Sequence, residues 1–377
     1  MTEEDEGVAY PPEPATGEAS SSGADGARIG RGRIAAAFAA VLVCGLAAGG
    51  VLAWSSAGDT STVDQDLPEW LAQDDGASGP TTVAPAAEVV EPLGGAGPQL
   101  VYISRAADHY GKVVVAAGSP PEPIPVDLAC ERVHVGPTRV LCLQSGGLSG
   151  VSGGVVLDRA FEPVDGFGLG GLPSRARLSP DGRMAAYTQF VTGHSYNGGG
   201  EFSTATALID LDTGWQTNLE SLAVLADGAP VEAADRNFWG VTFTADSNRF
   251  YATMKVGPDT FLVEGDLAAG RIEVLDRDAE CPSLSPDGSQ LVFKVPVSGG
   301  YHLVRYDLAT RERTSLDAAG LVDDQVEWLD DDTIVYGVGR TGPKGERTAD
   351  IWALDLAEGA EARLVVADAE SPAVVRG

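Results

Sequence analysis

Six residues have the types and the spacing to act together: Glu131, Ser174, Trp239, Glu280, Asp324 and Glu370. Each stands six positions ahead of the proline site of a recurring turn, and four of the six are acidic. Carboxylates gathered at one mouth raise one another's pKa unless a cation relieves them, and hard oxygen ligands suit calcium. The spacing predicts a site for a cation such as Ca2+, or for a basic peptide. The competing reading is an ordinary solvated loop face in an acidic protein, and a slip of one residue in the alignment dissolves the ring.

Other motifs carry less. Gly150-Val-Ser-Gly-Gly154 fits the G-x-S-x-G pattern, but a nucleophile elbow joins a strand to a helix under an oxyanion hole. Here the stretch reads as a Gly-rich loop between strands. Gly166-Phe-Gly-Leu-Gly-Gly171 fits G-x-G-x-x-G, yet Pro173 and a turn follow where a dinucleotide cradle needs a helix N-terminus. It reads as a junction between repeats. His109, His134, His194 and His302 are scattered without ligand spacing, so no zinc site is expected.

Cys130 and Cys142 flank a turn near Gly136-Pro137, six residues away on each side. Such positions face each other across an antiparallel hairpin, which predicts a disulfide. Two reduced core cysteines are the alternative, and Cys281 could pair with Cys130 instead. Two insertions also stand out, Val191–Phe202 and Leu222–Phe238. Long loops often carry specificity, so His194, Tyr196, Phe238 and Trp239 are candidates for a recognition surface or for packed cover over a channel.

A repeat must position these residues. Ser179-Pro-Asp-Gly182 and Ser285-Pro-Asp-Gly288 sit between apolar strands; Pro presets φ, Asp bonds the backbone ahead, and Gly tolerates φ > 0. Ala245-Asp246 replaces the turn in 241–251, and 326–336 and 132–143 are decayed copies. Downstream of each turn an apolar strand ends in Asp, at Asp210, Asp266, Asp307 and Asp355, with Asp158 a weaker case. Asp246 to Asp266 and Asp287 to Asp307 are both 20 residues apart, so two registers keep step. Each copy is a four-stranded meander of about 40–45 residues, the length of a propeller blade. Five complete blades fall at 129–170, 171–220, 237–277, 278–317 and 322–367. A sixth takes Glu370–Arg376 as its innermost strand and three strands from residues 100–128. That closure removes open edges.

The Ser-Pro-Asp-Gly turn followed by an apolar strand resembles the PD40 repeat of the TolB-like six-bladed β-propellers, over residues 99–377. The whole chain is also similar to exported, membrane-tethered TolB-like proteins of high-GC bacteria. The helical N-terminal domain of TolB has no counterpart here. The resemblance implies an extracytoplasmic scaffold, often for protein contacts.

The chain ahead of the propeller fits that address. Residues 1–33 are polar and end in Arg28, Arg31 and Arg33. Ile34–Trp54 is an uncharged run of 21 residues, long enough to cross a bilayer as a helix. Arginines before it and acidic residues after it place the N-terminus in the cytoplasm. Cleavage of a signal peptide near Ser55-Ser56-Ala57 is the alternative and leaves a secreted protein. Residues 55–98 read as a flexible linker. The 377 residues carry 55 acidic and 25 basic side chains, a net charge of -30, which disfavours nucleic acid and anionic lipid as partners.

The expectation is therefore an all-β, six-bladed propeller of four-stranded blades (99–377) behind a tail (1–33), a single transmembrane helix (34–54) and a linker (55–98). It predicts a non-enzymatic cell-membrane scaffold that binds an envelope protein or peptide. The binding residues expected are Glu131, Glu280, Asp324 and Glu370, with His194, Tyr196 and Trp239 beside them. A metal-dependent, lactonase-like hydrolase using the acidic mouth is the alternative, although no His/Asn/carboxylate ligand set stands out.

Overall fold

The repeated turns share a set of hydrogen bonds that explains why each one starts a strand. Ser179 Oγ accepts the Met184 N–H at 2.8 Å, and Asp181 Oδ1 accepts the Arg183 N–H at 2.9 Å. Ser285 and Asp287 do the same for Gln290 and Ser289, at 3.1 and 3.0 Å. Where the motif has decayed, Asp246 Oδ1 still takes the N–H groups of Asn248 and Arg249, at 3.0 and 3.1 Å. The aspartates that close strands form a second turn. Asp210, Asp266 and Asp307 accept the N–H three residues on, from Thr213, Ala269 and Thr310, at 3.1, 3.0 and 2.7 Å. These Asx turns reverse the chain for the next strand.

The structure, a computed structural model, describes residues 99–117, 122–146, 152–191, 203–342 and 345–376. The described chain opens with β1 (Gln99–Ser104), β2 (Lys112–Ala117) and β3 (Glu122–Ala129). The first complete blade follows as β4 (Arg132–Val135), β5 (Val140–Gln144), β6 (Ser152–Leu157) and β7 (Pro163–Leu169). The second is β8 (Leu172–Leu178), β9 (Met184–Val191), β10 (Ser203–Asp210) and β11 (Gln216–Asn218). A short pair, β12 (Ala223–Ala226) and β13 (Ala229–Pro230), precedes the third blade: β14 (Asn237–Phe243), β15 (Arg249–Val256), β16 (Asp259–Asp266) and β17 (Arg271–Arg277). The fourth is β18 (Glu280–Leu284), β19 (Gln290–Val297), β20 (Gly300–Asp307) and β21 (Arg313–Ser315). The fifth is β22 (Glu327–Trp328), β23 (Thr333–Thr341), β24 (Arg347–Asp355) and β25 (Arg363–Val366).

The last strand, β26 (Ala369–Val375), pairs with β1, and the sixth sheet runs β26-β1-β2-β3. Both ends of the described chain thus meet in one blade. The fold is an all-β, six-bladed propeller, with the closure the repeats predict. Ala373, Val374 and Val375 are at most 3% exposed, so the closing strand contributes core as well as hydrogen bonds. Apolar clusters lie between adjacent sheets; Val101, Val133, Val155 and Ala373, for example, join the sixth blade to the first. Side chains stitch blades too. Thr204 Oγ1 donates to the Phe238 carbonyl at 2.9 Å, while the Glu220 carboxylate accepts the Thr206 and Phe238 N–H groups at 3.2 and 3.3 Å.

Three expectations change. The Leu222–Phe238 insertion is not a free loop: β12 pairs in parallel with β17 and extends the third blade at its outer edge. Phe238 is fully buried in the core and offers no recognition surface. Ser152–Gly154 is strand, not loop, paired with β5 and β7, and a Cβ at Gly154 would lie 2.2 Å from the Phe167 ring. Glycine is there to admit that ring. In the other motif Gly166 and Gly168 lie in β7, and strand rather than helix follows Gly171.

The ring has two ends. The Ser-Pro-Asp-Gly turns lie at one, where the innermost strands finish; the innermost strands begin at the other. Gln99 pairs with Val375 and Ile103 with Glu370, so the first described residue lies at the turn end. Ile34–Trp54 falls outside the described residues, and no helix among those described is long and apolar enough to cross a membrane.

Candidate binding mouth

Three of the six innermost strands enter the ring through a distortion. Gly240, Cys281 and Ser371 have φ of +64°, +50° and +52°, and the pairing slips by a residue beside each of them. Gly240 is fixed by contact as well, since a Cβ there would lie 2.6 Å from the Cys281 Cα. Bulges of this kind re-aim side chains. Here they turn neighbouring residues of the inner strands toward the axis.

The result is a cavity of about 1010 Å³ at the end opposite the turns. All six aligned residues line it: Glu131, Ser174, Trp239, Glu280, Asp324 and Glu370. Trp239 itself is largely buried, at 8% exposure. Tyr110, Leu321 and Phe190 are exposed apolar residues on the same lining. His194 and Tyr196 lie outside the described residues.

The carboxylates do not stand alone. Arg105, Arg132, Arg175, Lys294, Arg340 and Arg347 line the same cavity. Arg105 pairs with Glu370, and Lys294 Nζ lies 2.7 Å from Asp323. Lys294 also sits over the Tyr301 ring, 4.3 Å from its centre. Glu131 accepts the Ser145 hydroxyl at 2.8 Å. Asp324 accepts the Gln325 and Gly337 N–H groups at 2.9 and 3.0 Å. Burial pushes the Asp324 and Glu280 carboxyls up, against the pull of the nearby cations. The chain's own arginines and Lys294 thus offset the burial of these carboxyls only in part. Among the described residues no three His, Cys, Asp or Glu side chains converge as metal ligands.

Below the mouth the axis is filled. Counting three residues on from each aligned position gives His134, Arg177, Thr242, Ser283, Glu327 and Ala373. Arg177 pairs with Glu327 and also donates to the Val326 carbonyl at 3.3 Å. His134 Nδ1 accepts the Leu178 N–H at 3.0 Å, which leaves the ring proton on Nε2, 3.4 Å from Glu327 Oε2. Arg376 reaches Glu327 Oε1 at 3.2 Å. Gln325 Nε2 donates to the Val241 and Pro282 carbonyls. These side chains tie the inner strands together across the centre. His134 has no ligand spacing in the sequence, but the alignment that defines the mouth, moved on by three residues, places it in this layer.

Cys130 and Cys142 are bridged, with Cα atoms 5.6 Å apart. They are not direct cross-strand partners, since Cys142 stands opposite Val133. The chain bends between β3 and β4 and carries Cys130 back toward Cys142. The bridge excludes the Cys130–Cys281 pairing, and Cys281 is a buried free thiol.

No family profile matches the sequence, and no curated protein matches it. Solved structures do. TolB from Acinetobacter baumannii is similar at 17% identity with a TM-score of 0.52, over 74% of this chain and 66% of that one. A protein described as TolB from Agrobacterium tumefaciens is similar at 13% identity and TM-score 0.44, over 74% of this chain and 98% of that one. The tricorn protease is similar at 14% identity and TM-score 0.43, over 73% of this chain and 34% of that one. The chain thus spans just under two thirds of the first of these. Likeness at such identities is likeness of fold.

Proposed function

We propose that this chain is a membrane-tethered, extracytoplasmic propeller that binds an envelope protein or peptide at its mouth and performs no reaction on it. The observation that carries this reading is the convergence of six repeat-related residues and three exposed apolar ones on one cavity. A polar floor with an apolar rim suits a docked chain segment: the apolar rim supplies burial and the charges fix orientation.

Two measurements test it. Protease added to intact cells should digest the propeller and spare a tail of about 33 residues, as expected for a segment ahead of a single span; a protected propeller contradicts the address. The double variant Tyr110→Ala, Leu321→Asp should lose its partner in pull-downs while melting as the parent does. Unchanged retention contradicts docking at the mouth.

A further inference from the structure

The charges at the mouth are not evenly engaged. The whole chain has 25 basic against 55 acidic residues, yet the cavity lining holds six basic and five acidic ones. An acidic protein has concentrated its cations here. Arg132 Nε and Arg175 Nη1 both donate to the carbonyl of Ser174, at 2.7 and 2.9 Å. Arg132 Nη1 donates to the Glu131 carbonyl at 2.7 Å. Backbone carbonyls accept the hydrogen bonds of two guanidinium groups held close together, and the Asp324 carboxyl acts on both of them as a countercharge. Glu370, which Arg132 approaches at 3.7 Å, is already paired with Arg105. Asp324 spends its oxygens on backbone N–H groups. The Arg175 Nε–H is buried and has no acceptor. The Arg347 side chain is exposed on the same lining and makes no close hydrogen bond or ion pair among the described residues, although its charge helps to pull the Asp323 carboxyl down.

The unspent hydrogen-bonding capacity is thus mainly donor. Glu280, a carboxylate on this lining with no hydrogen bond among the described residues, opens β18 opposite Lys294, and Lys294 and Arg175 both pull its carboxyl down against burial. We infer that the mouth is an oxyanion site, in which Arg132 and Arg175 grip a carboxylate or phosphate group and Arg347 guides it in. A guanidinium presents a planar fork that matches such oxygens two at a time. This rests on the docking reading above and assigns the docked partner an acidic group, the opposite of the basic partner expected from the aligned carboxylates.

The test uses the full chain, titrated calorimetrically at fixed ionic strength with triglutamate, inorganic phosphate and trilysine. Triglutamate is expected to bind, and Arg132→Gln and Arg175→Gln to weaken it at least tenfold. Arg132→Lys keeps the charge but loses the fork, and should weaken binding as well. If Arg175→Gln fails to fold, the exposed Arg347→Gln and Arg132→Lys carry the test. Triglutamate bound more than tenfold tighter than phosphate marks a peptide carboxylate as the source; comparable binding marks a general oxyanion pocket. The inference is overturned if neither anion binds, if the arginine variants bind as the parent does, or if trilysine binds instead. Partner cross-linking at the mouth with no anion binding removes this inference and leaves docking intact. Anion binding with the partner docked elsewhere does the reverse.

Discussion

Arg177 and Glu327, 150 residues apart in sequence, form a buried ion pair across the propeller axis. The two residues belong to the second and fifth blades, so the pair spans the ring. Arg376 and His134 bring the sixth and first blades to the same carboxylate. Breaking a buried pair from one side leaves an uncompensated charge, which costs about 3–5 kcal/mol. Glu327→Gln should therefore lose a large share of the stability of a domain whose margin is about 5–15 kcal/mol. The double variant Arg177→Met, Glu327→Leu should recover much of that loss in urea unfolding. Equal stability of Glu327→Gln and the parent would show that the pair is not closed in solution.

Acid should destabilise this layer in two steps. Burial holds the His134 imidazole below its usual pKa of 6.5. Burial opposes ionisation of Glu327, but Arg177 and His134 overcome it and hold its carboxyl well below the usual 4.5. Both groups bind fewer protons folded than unfolded, so both favour folding at higher pH. The His134 contribution is present above pH 6.5 and falls as pH drops below it; that of Glu327 falls below 4.5. Measured against His134→Phe from pH 8 to 4, the parent's melting temperature should fall toward acid, because only the parent carries the His134 contribution.

Glu220 predicts the opposite slope. Burial between the second and third blades pushes its carboxyl up to about 7, despite the backbone N–H groups it accepts. A raised value means stability present below 4.5 and lost as pH rises through 7. Glu220→Gln keeps an acceptor for the Thr206 and Phe238 N–H groups and cannot ionise. It should abolish the loss between pH 5 and 8 and move the stability maximum upward. An unchanged alkaline limb would show that Glu220 is not the group responsible.

The Cys130–Cys142 bridge closes a short loop, with a sequence separation of 12. A closure of this length is worth about 3 kcal/mol. Cys130→Ser, Cys142→Ser should lower unfolding stability by about that amount, and reduction of the parent should match it.

Much of the fold was legible because its turns are made by side chains. Ser179, Asp181, Ser285 and Asp287 hold the turns that start strands, while Asp210, Asp266 and Asp307 hold those that end them, so the repeat is written in polar residues that cannot be exchanged freely. The mouth was legible for the same reason: aligned turns align Glu131, Ser174, Trp239, Glu280, Asp324 and Glu370. Its charge balance was not. Arg132 and Arg175 stand one residue beyond the aligned column, and in a regular strand that places them on the opposite face. In β8 the pairing shifts between Pro173 and Arg175 and upsets that alternation, and nothing local in the sequence announces it. Lys294 and Arg347 come from second and third strands, which the alignment of first strands does not reach.

Closure by the last strand has its own test. Deleting residues 369–377 removes Ala373, Val374 and Val375 from the core, with about 1.5–3 kcal/mol for each valine and a full ladder of strand hydrogen bonds. The shortened chain should show no cooperative melting transition.

Docking at the mouth is tested most directly by photo-cross-linking in growing cells. A photoreactive residue is placed at Leu321 on the mouth lining or at Trp215 in the turn after β10, positions that are 53% and 48% exposed. One discrete adduct from Leu321, reduced by Arg132→Gln and absent from Trp215, is the predicted result. An adduct from Trp215 with none from Leu321 would place the partner on the other end of the ring and contradict the account.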